Sequence, residues 1–213
     1  MKTIAIVPAY NEEKTIGDVL QALIDTPAIQ SIVVVSDGST DGTVEVARGF
    51  GVTVVDLEEN MGKGGAMAAG LETTEADVIL FLDADLIGLT VDHVNALLEP
   101  VISGEADMTV GIFDRGRIVT DLAQRVAPYL SGQRAVRRTL LEQISDMDIS
   151  RFGVELALTQ HIEEQGTRVQ EVVLSDMSHV MKEEKLGLVK GLAARFKMYW
   201  EIVKYVTRIE QFK

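Results

Sequence analysis

The sequence predicts an α/β fold in which a mostly parallel, doubly wound sheet is flanked by helices. Three observations predict it. Short β-branched runs alternate with helical patterns at regular spacing through the first half of the chain. One run, Val78-Ile79-Leu80-Phe81-Leu82, is apolar at every position and reads as a strand buried on both faces, as parallel strands are. Each run ends in a loop of Gly, Asp, Asn or Ser, and right-handed crossovers collect such loops on one edge of a sheet.

Taken in order, Thr3 to Val7 is a strand ended by Pro8, and Asn11-Glu12-Glu13 opens a helix with Ile16, Val19, Leu20 and Leu23 on one face. Ile32 to Val35 repeats the pattern, followed by the turn Ser36 to Gly42 and a helix carrying Val44 and Val46. Val52 to Val55 is a third strand before the glycine-rich stretch Asn60 to Gly70, and Asp77 to Leu82 is the fourth. Beyond it, Val91 to Val101 reads as a helix and Ala106 to Phe113 as a strand, because Met108, Val110 and Ile112 alternate. Gly116 to Leu141 is polar and basic, with Arg115 just before it, and reads as a lid or acceptor region plus a short helix. Phe152 to Glu164 is helical, and Val169 to Leu174 is a strand. Lys182 to Lys213 forms one long amphipathic pattern with Leu188, Leu192, Tyr199, Val203 and Val206 on a stripe. The expected organisation is a domain over 1–180 and a helical extension over 181–213.

Composition narrows the function. With 46% hydrophobic and 25% charged residues the chain suits a globular protein with a sizeable core. A formal net charge of -13 excludes nucleic-acid binding, since no basic excess is available to neutralise phosphates. The same charge requires that any anionic nucleotide be met by a metal or by a few placed Lys and Arg. There is no cysteine, so disulfides and thiolate metal sites are excluded. The opening MKTIAIVPAYNEE turns polar too soon for a signal peptide, and no run approaches the roughly 20 apolar residues of a membrane span, so a cytoplasmic location is expected.

The chemistry concentrates at the loops. Asp83 and Asp85 stand one residue apart where the fourth strand emerges, the position at which open α/β sheets bind ligands. Two oxygen ligands there suit a hard cation, Mg²⁺ or Mn²⁺, and a phosphate-bearing substrate; the other reading is a turn or helix cap. Asp37, Ser39, Asp41 and Gly42 match the start of a calcium loop, but Arg48 stands where that loop needs a glutamate, so the reading is rejected. Asp37 then either accepts from a nucleobase or serves the turn. Asn60 to Gly70 matches neither phosphate-loop nor dinucleotide pattern, yet Lys63 opens a helix, where a cation opposes the dipole unless an anion lies between. A diphosphate would be that anion. Of the histidines, His93 and His161 fall in helices, and His179 follows a strand in a loop, free to complete a metal shell or to do nothing. Asp146 and Asp148 form a second acidic pair without a buried strand before it and read as solvated.

The ordered segments VPAYNEE, VSDGSTDGT, GKGGAMAAG, LFLDADL and FGVE, with His179, resemble the family 2 and related glycosyltransferases of the GT-A fold, from Thr3 to about His179. The resemblance is strongest to the glucosyl-3-phosphoglycerate synthases and to the soluble parts of dolichol-phosphate mannosyltransferases. It implies that Pro8, Ala9, Tyr10 and Glu12 line the nucleoside site, that Asp37 binds the base, and that Lys63 touches the diphosphate. It further implies that Asp83 and Asp85 hold the metal with His179, that Arg134 in SGQRA lies in the acceptor region, and that Glu155 in FGVE stands near the acceptor. Asp85 and Glu155 are the candidate catalytic residues, Glu155 as acceptor-positioning group or general base. The long C-terminal helix is not part of that family's common core.

The expected activity is metal-dependent transfer of a sugar from a nucleotide-diphosphate sugar, UDP-glucose favoured, to an acceptor hydroxyl or phosphate. The alternatives are a polyprenyl-phosphate sugar transferase, a sugar-phosphate nucleotidyltransferase and a non-catalytic nucleotide-binding module. The second of these is disfavoured, because it expects a glycine-rich loop with Arg and Lys where the sequence has PAYNEE. Phe196, Tyr199 and Trp200 among Lys and Arg of the last helix suit either a peripheral contact with a membrane surface or a core or homodimer face.

Overall fold

A computed structural model of the chain describes residues 1–113, 131–143 and 167–179. The chain divides into two compact units, Met1–Ser178 and His179–Lys213. Nearly all of the described residues belong to the first. The chain runs β1 (Thr3–Ala9), α1 (Ile16–Ile24), β2 (Ser31–Asp37), α2 (Thr43–Gly49), β3 (Thr53–Leu57), α3 (Gly62–Glu72), β4 (Val78–Phe81) and β5 (Leu86–Ile87). It continues through α4 (Val91–Ser103), β6 (Met108–Phe113), β7 (Arg134–Arg137), α5 (Arg138–Gln143), β8 (Val169–Leu174) and β9 (Ser178–His179).

Seven strands form one sheet in the order β3-β2-β1-β4-β7-β6-β8, and β5 pairs with β9 in a separate two-stranded ribbon. The pairs β2–β3, β1–β2, β1–β4 and β6–β8 are parallel, as the alternation of strands and helices predicts. Strand β7 runs antiparallel to both β4 and β6. The sheet is therefore mostly parallel, as expected, with one reversed strand near its centre.

Residues 134–137 correct the sequence reading, which placed them in a polar lid. Ala135 and Val136 are fully buried between two strands, and the flanking arginines turn their charged ends onto carbonyls. Arg137 Nη2 donates to the Val101 carbonyl in the last turn of α4 at 2.9 Å. Arg138 Nε and Nη2 reach the carbonyls of Ala76 and Thr74, just beyond α3, at 2.7 and 2.6 Å. Helix C-termini carry unpaired carbonyls and partial negative charge, so a basic strand edge is stabilised there. The remainder of the expected lid, residues 116–130, lies outside the described residues.

Both faces of the sheet are covered, which explains why β4 is apolar at every position. Val78 and Leu80 pack with Ala5, Val7, Leu20 and Leu97 on the α1 and α4 side, and Ile79 and Phe81 pack with Ile4, Ile6, Ala66 and Met67 on the α3 side. Helix α4 begins with a capping box in which Thr90 and His93 exchange hydrogen bonds, giving His93 a structural partner. Helix α3 approaches the sheet closely because its inward residues are small. A Cβ on Gly70 would stand 2.6 Å from Ile6 Cγ2 and 3.1 Å from Val35 Cγ2.

Asp107 ties three strands together at the opposite edge from the loops. Its carboxylate accepts from Arg168 Nε at 3.1 Å and Nη2 at 2.7 Å, its N–H donates to the Arg168 carbonyl, and its own carbonyl accepts from Arg137 N. The bidentate hydrogen bonds from Arg168 outweigh the opposing effect of burial and hold the Asp107 carboxyl below its ordinary value.

Gly70→Val should destabilise the protein by roughly 1–3 kcal/mol in urea unfolding, because the added methyls overlap Ile6 and Val35. Gly49→Ala, with nothing within 4 Å of the added carbon, should be neutral or stabilise by up to about 1 kcal/mol. The Asp107 shift gives stability that is present above the ordinary carboxylate pKa of 3.8 and is lost as pH falls through the lower folded-state value. Asp107→Asn should therefore remove part of the acid limb of a stability-versus-pH curve and leave its shape above neutrality unchanged.

Candidate active site

Four parallel strands, β1 to β4, end at the same sheet edge, and their loops carry the sequence motifs. The loops after β1 and β2 hold each other. Asn11 adopts a left-handed backbone, φ 56°, which turns its amide oxygen toward the neighbouring loop to accept from Thr40 N at 2.8 Å. Its own N–H donates to Ser39 Oγ at 3.2 Å. Glu12 N donates to the buried Thr43 Oγ1 at 2.8 Å, and Glu13 Oε2 accepts from Gly42 N at 2.8 Å. Asp41 completes the clasp, accepting from Thr43 N at 3.0 Å and Glu13 N at 3.2 Å. Burial raises the Asp41 pKa, yet the hydrogen bonds from Thr43 and Glu13 outweigh it and hold the carboxyl below its ordinary value. The SDGSTDGT turn is thus a framework for the first loop.

Of the expected nucleoside residues, Ala9 is buried at the end of β1, Pro8 and Glu12 are half-buried, and Tyr10 is 50% exposed at the rim. Asp37 ends β2 and is 4% exposed. Its Oδ1 accepts from Met61 N at 2.7 Å and its carbonyl from Asn60 Nδ2 at 3.0 Å, so it anchors the start of α3. Gly38 permits this approach: its φ is +70°, and a Cβ there would meet Asn60 N at 2.9 Å. One of the two Asp37 oxygens is therefore committed to the chain itself.

Lys63 lies in the first turn of α3, as expected, but its partner is internal. Lys63 Nζ stands 2.6 Å from Asp83 Oδ1, with the two side chains 36% and 20% exposed. The anion that relieves a cation at a helix N-terminus is thus supplied in the protein by Asp83, where the sequence reading called on a diphosphate. Asp83 Oδ2 accepts from Gln133 Nε2 at 2.9 Å. Gly132 covers the pair so closely that a Cβ on it would come within 2.6 Å of both Asp83 oxygens and strike Lys63 Nζ. Register explains the meeting. Phe81 faces Arg134 across the antiparallel β4–β7 pair, and continuing that register sets residue 83 opposite 132.

The remaining site residues divide into those described and those not. Asp85 is half-buried, two residues beyond Asp83 and directly before β5. Arg134, expected near the acceptor, is 1% exposed in β7, and its Nε donates to the Ser131 carbonyl at 2.8 Å. Glu155, Asp146, Asp148, His161 and the 182–213 helix lie outside the described residues, as does the side chain of His179, whose backbone forms the end of β9. Among the described residues, no three His, Cys, Asp or Glu side chains cluster to hold a metal, and no helix is long and apolar enough to cross a membrane.

The donor set nonetheless fits a hard divalent cation. Magnesium is ordinarily held by one or two carboxylates with substrate phosphates and water, without a protein cage, and Asp83 and Asp85 provide such a pair at the sheet edge. Sequence reasoning missed Ser131, Gly132, Gln133, Thr43 and Asn11. The signal that would have found the first three is the strand that follows them, concealed by its arginines.

Residues 4–156 match the model of glycosyl transferase family 2. The chain superposes on glucosyl-3-phosphoglycerate synthase of Mycobacterium tuberculosis in complex with Mn²⁺, UDP-glucose and glycerol 3-phosphate, with TM-score 0.72 and 30% identity, covering 84% of this chain and 72% of that one. The complex of the same enzyme with Mn²⁺, UDP-glucose and phosphoglyceric acid gives TM-score 0.71 and 28% identity, over 84% and 71%. A 4,4'-diaponeurosporenoate glycosyltransferase of Staphylococcus aureus is 40% identical over 98 residues, 44% of this chain and 26% of that protein. The aligned stretch thus spans about a quarter of that relative's length. The mixed seven-stranded sheet is the GT-A fold, and the chain belongs to glycosyl transferase family 2.

Proposed function

We propose that the protein is a metal-dependent glycosyltransferase that moves a sugar from a nucleotide-diphosphate sugar, with UDP-glucose favoured, to an acceptor hydroxyl or phosphate. The observation that carries this reading is the Lys63 ammonium held against Asp83 at the sheet edge, two residues from Asp85. In a chain of net charge -13, this cation would be one of the few groups available to meet a donor diphosphate. Support comes also from structural relatives crystallised with Mn²⁺ and UDP-glucose, or with Mg²⁺ and UDP.

In this reading Tyr10, Pro8, Ala9 and Glu12 line the nucleoside, and the clasp between Asn11–Glu13 and Ser39–Thr43 fixes their loop before the donor arrives. Asp37 reads the base with the oxygen not given to Met61. Asp83 and Asp85, with His179, would hold Mg²⁺ or Mn²⁺, which would supply Lewis-acid stabilisation of the charge left on the departing phosphate. Lys63 adds positive charge on the same side, preorganised by its contact with Asp83. Glu155 is the candidate to orient the acceptor or take its proton. Arg134 remains the acceptor-region candidate; because it is 1% exposed and bonded to Ser131, Arg134→Ala tests folding before it tests acceptor binding.

The acceptor is the open half of the proposal. One relative is crystallised with phosphoglyceric acid, and the other is named for diaponeurosporenoate, so the family does not fix it. A lipid-phosphate acceptor reached through peripheral membrane contact of the 181–213 extension, and homodimerisation through that helix, belong to the same open half.

Calorimetric titration with UDP-glucose and Mn²⁺ tests the donor half, and binding is expected. Silence across UDP- and GDP-sugars sinks the proposal. Stripping the divalent ion with chelator should abolish transfer, and added Mn²⁺ should restore it. Lys63→Met and Asp85→Asn should each lower turnover by about 10²-fold or more while the thermal midpoint without ligand changes little. Wild-type rates in either variant would remove it from the donor site.

A further inference from the structure

We infer that the turn Ser131-Gly132-Gln133 is a positioning device for the Lys63–Asp83 pair: Gln133 fixes the Asp83 carboxylate by hydrogen bond, and Gly132 leaves the space in which both charges stand. The inference deepens the donor-site reading above and rests on it.

Gln133 is fully buried, yet it is polar and reaches across to the loop after β4. Such a side chain needs hydrogen-bond partners for its amide, and those present favour one orientation. Its Nε2 must face Asp83 Oδ2, because the opposite orientation would set an amide oxygen against a carboxylate. Its Oε1 then lies 3.0 Å from Ser131 Oγ, whose single proton is shared between this oxygen and the Gly111 carbonyl. The turn is in turn built onto β6. Gly111 N donates to the Gln133 carbonyl at 2.8 Å, and the Ser131 hydroxyl reaches the Gly111 carbonyl. Glycine at 111 leaves room for this fit, since a Cβ there would stand 3.1 Å from Gln133 Cβ and 2.5 Å from Leu174 Cδ1.

The consequence is that Asp83 is gripped from two sides. Oδ1 meets Lys63 and Oδ2 meets Gln133, so the carboxylate plane is set by groups anchored on two different elements, α3 and the turn before β7. A lysine carries four rotatable carbons and a point charge, and its ammonium is only as well placed as its partner. Fixing Asp83 therefore fixes where positive charge awaits the donor. Gly132 works by absence of a side chain: the Cβ positions of any other residue coincide with the ion pair. Gln133 thus acts through Asp83 and is a positioning residue, not a catalytic one.

The test measures the affinity of the full chain for UDP in the presence of Mn²⁺ by calorimetry, for wild type, Gln133→Met, Asp83→Ala and the double variant. Gln133→Met should weaken binding about tenfold, the scale of one hydrogen bond to a charged group. In the Asp83→Ala background the same substitution should change nothing, because the group it acts on is gone. An unchanged Kd in Gln133→Met overturns the inference, and so does an equal loss in both backgrounds, which a merely structural role would give. If Gln133→Met does not fold, Gly132→Ala, whose added carbon meets the ion pair directly, carries the test: weakened UDP affinity supports the inference, and wild-type affinity overturns it. Should wild type itself fail to bind UDP with Mn²⁺, the donor-site reading falls first and this inference with it, an outcome visible before any variant is made.

Discussion

The site depends on one ion pair at the rim of a sheet. Lys63, in the first turn of α3, and Asp83, in the loop after β4, are 20 residues apart in sequence, and the backbone around each is arranged so that they meet at 2.6 Å. Opposite charges part-way out of water attract more strongly than exposed ones but each loses hydration, so such a pair persists only with further hydrogen bonds. Here Gln133 supplies one and the N-terminal turn of α3 is stitched to Asp37 by another. What holds the pair is therefore the fold itself, above all the reversed strand β7 lying against β4.

That strand has two consequences. Its antiparallel direction brings the residues before it, Ser131 to Gln133, to the edge where the parallel strands end. Arg137 at its end and Arg138 directly after it reach carbonyls in the last turn of α4 and beyond α3, tying the end of the strand to helices on both faces of the sheet. A parallel strand in the same place would deliver its preceding loop to the far edge, away from the carboxylates. The clasp between the first two loops does a comparable job for the nucleoside side, where Asn11, Thr43 and Asp41 spend their hydrogen bonds on the neighbouring loop. Binding a donor to loops already fixed costs less ordering entropy than binding to loose ones.

Much of the architecture was legible because β1, β2 and β4 are runs of β-branched or aromatic residues bounded by Pro, Asp and Gly, a pattern that local physics determines. The acidic pair and Lys63 were legible for the same reason, being placed by strand and helix ends. Strand β7 was not, since Arg134 and Arg137 at either end of Ala135-Val136 give a basic tetrapeptide whose burial depends on carbonyls far along the chain. Without β7, nothing in the sequence connects Gln133 to Asp83, and the dipole argument for Lys63 called for an outside anion when the protein carries its own. Non-local charge pairing of this kind is decided by register, which the local pattern of a four-residue strand does not encode.

The most direct measurement is a crystal structure of the protein with UDP and Mn²⁺. The account predicts density for the ion at Asp83 and Asp85, with the diphosphate beside Lys63 and with Gln133 still bonded to Asp83. Nucleotide bound elsewhere, or an ion held away from both aspartates, would contradict it.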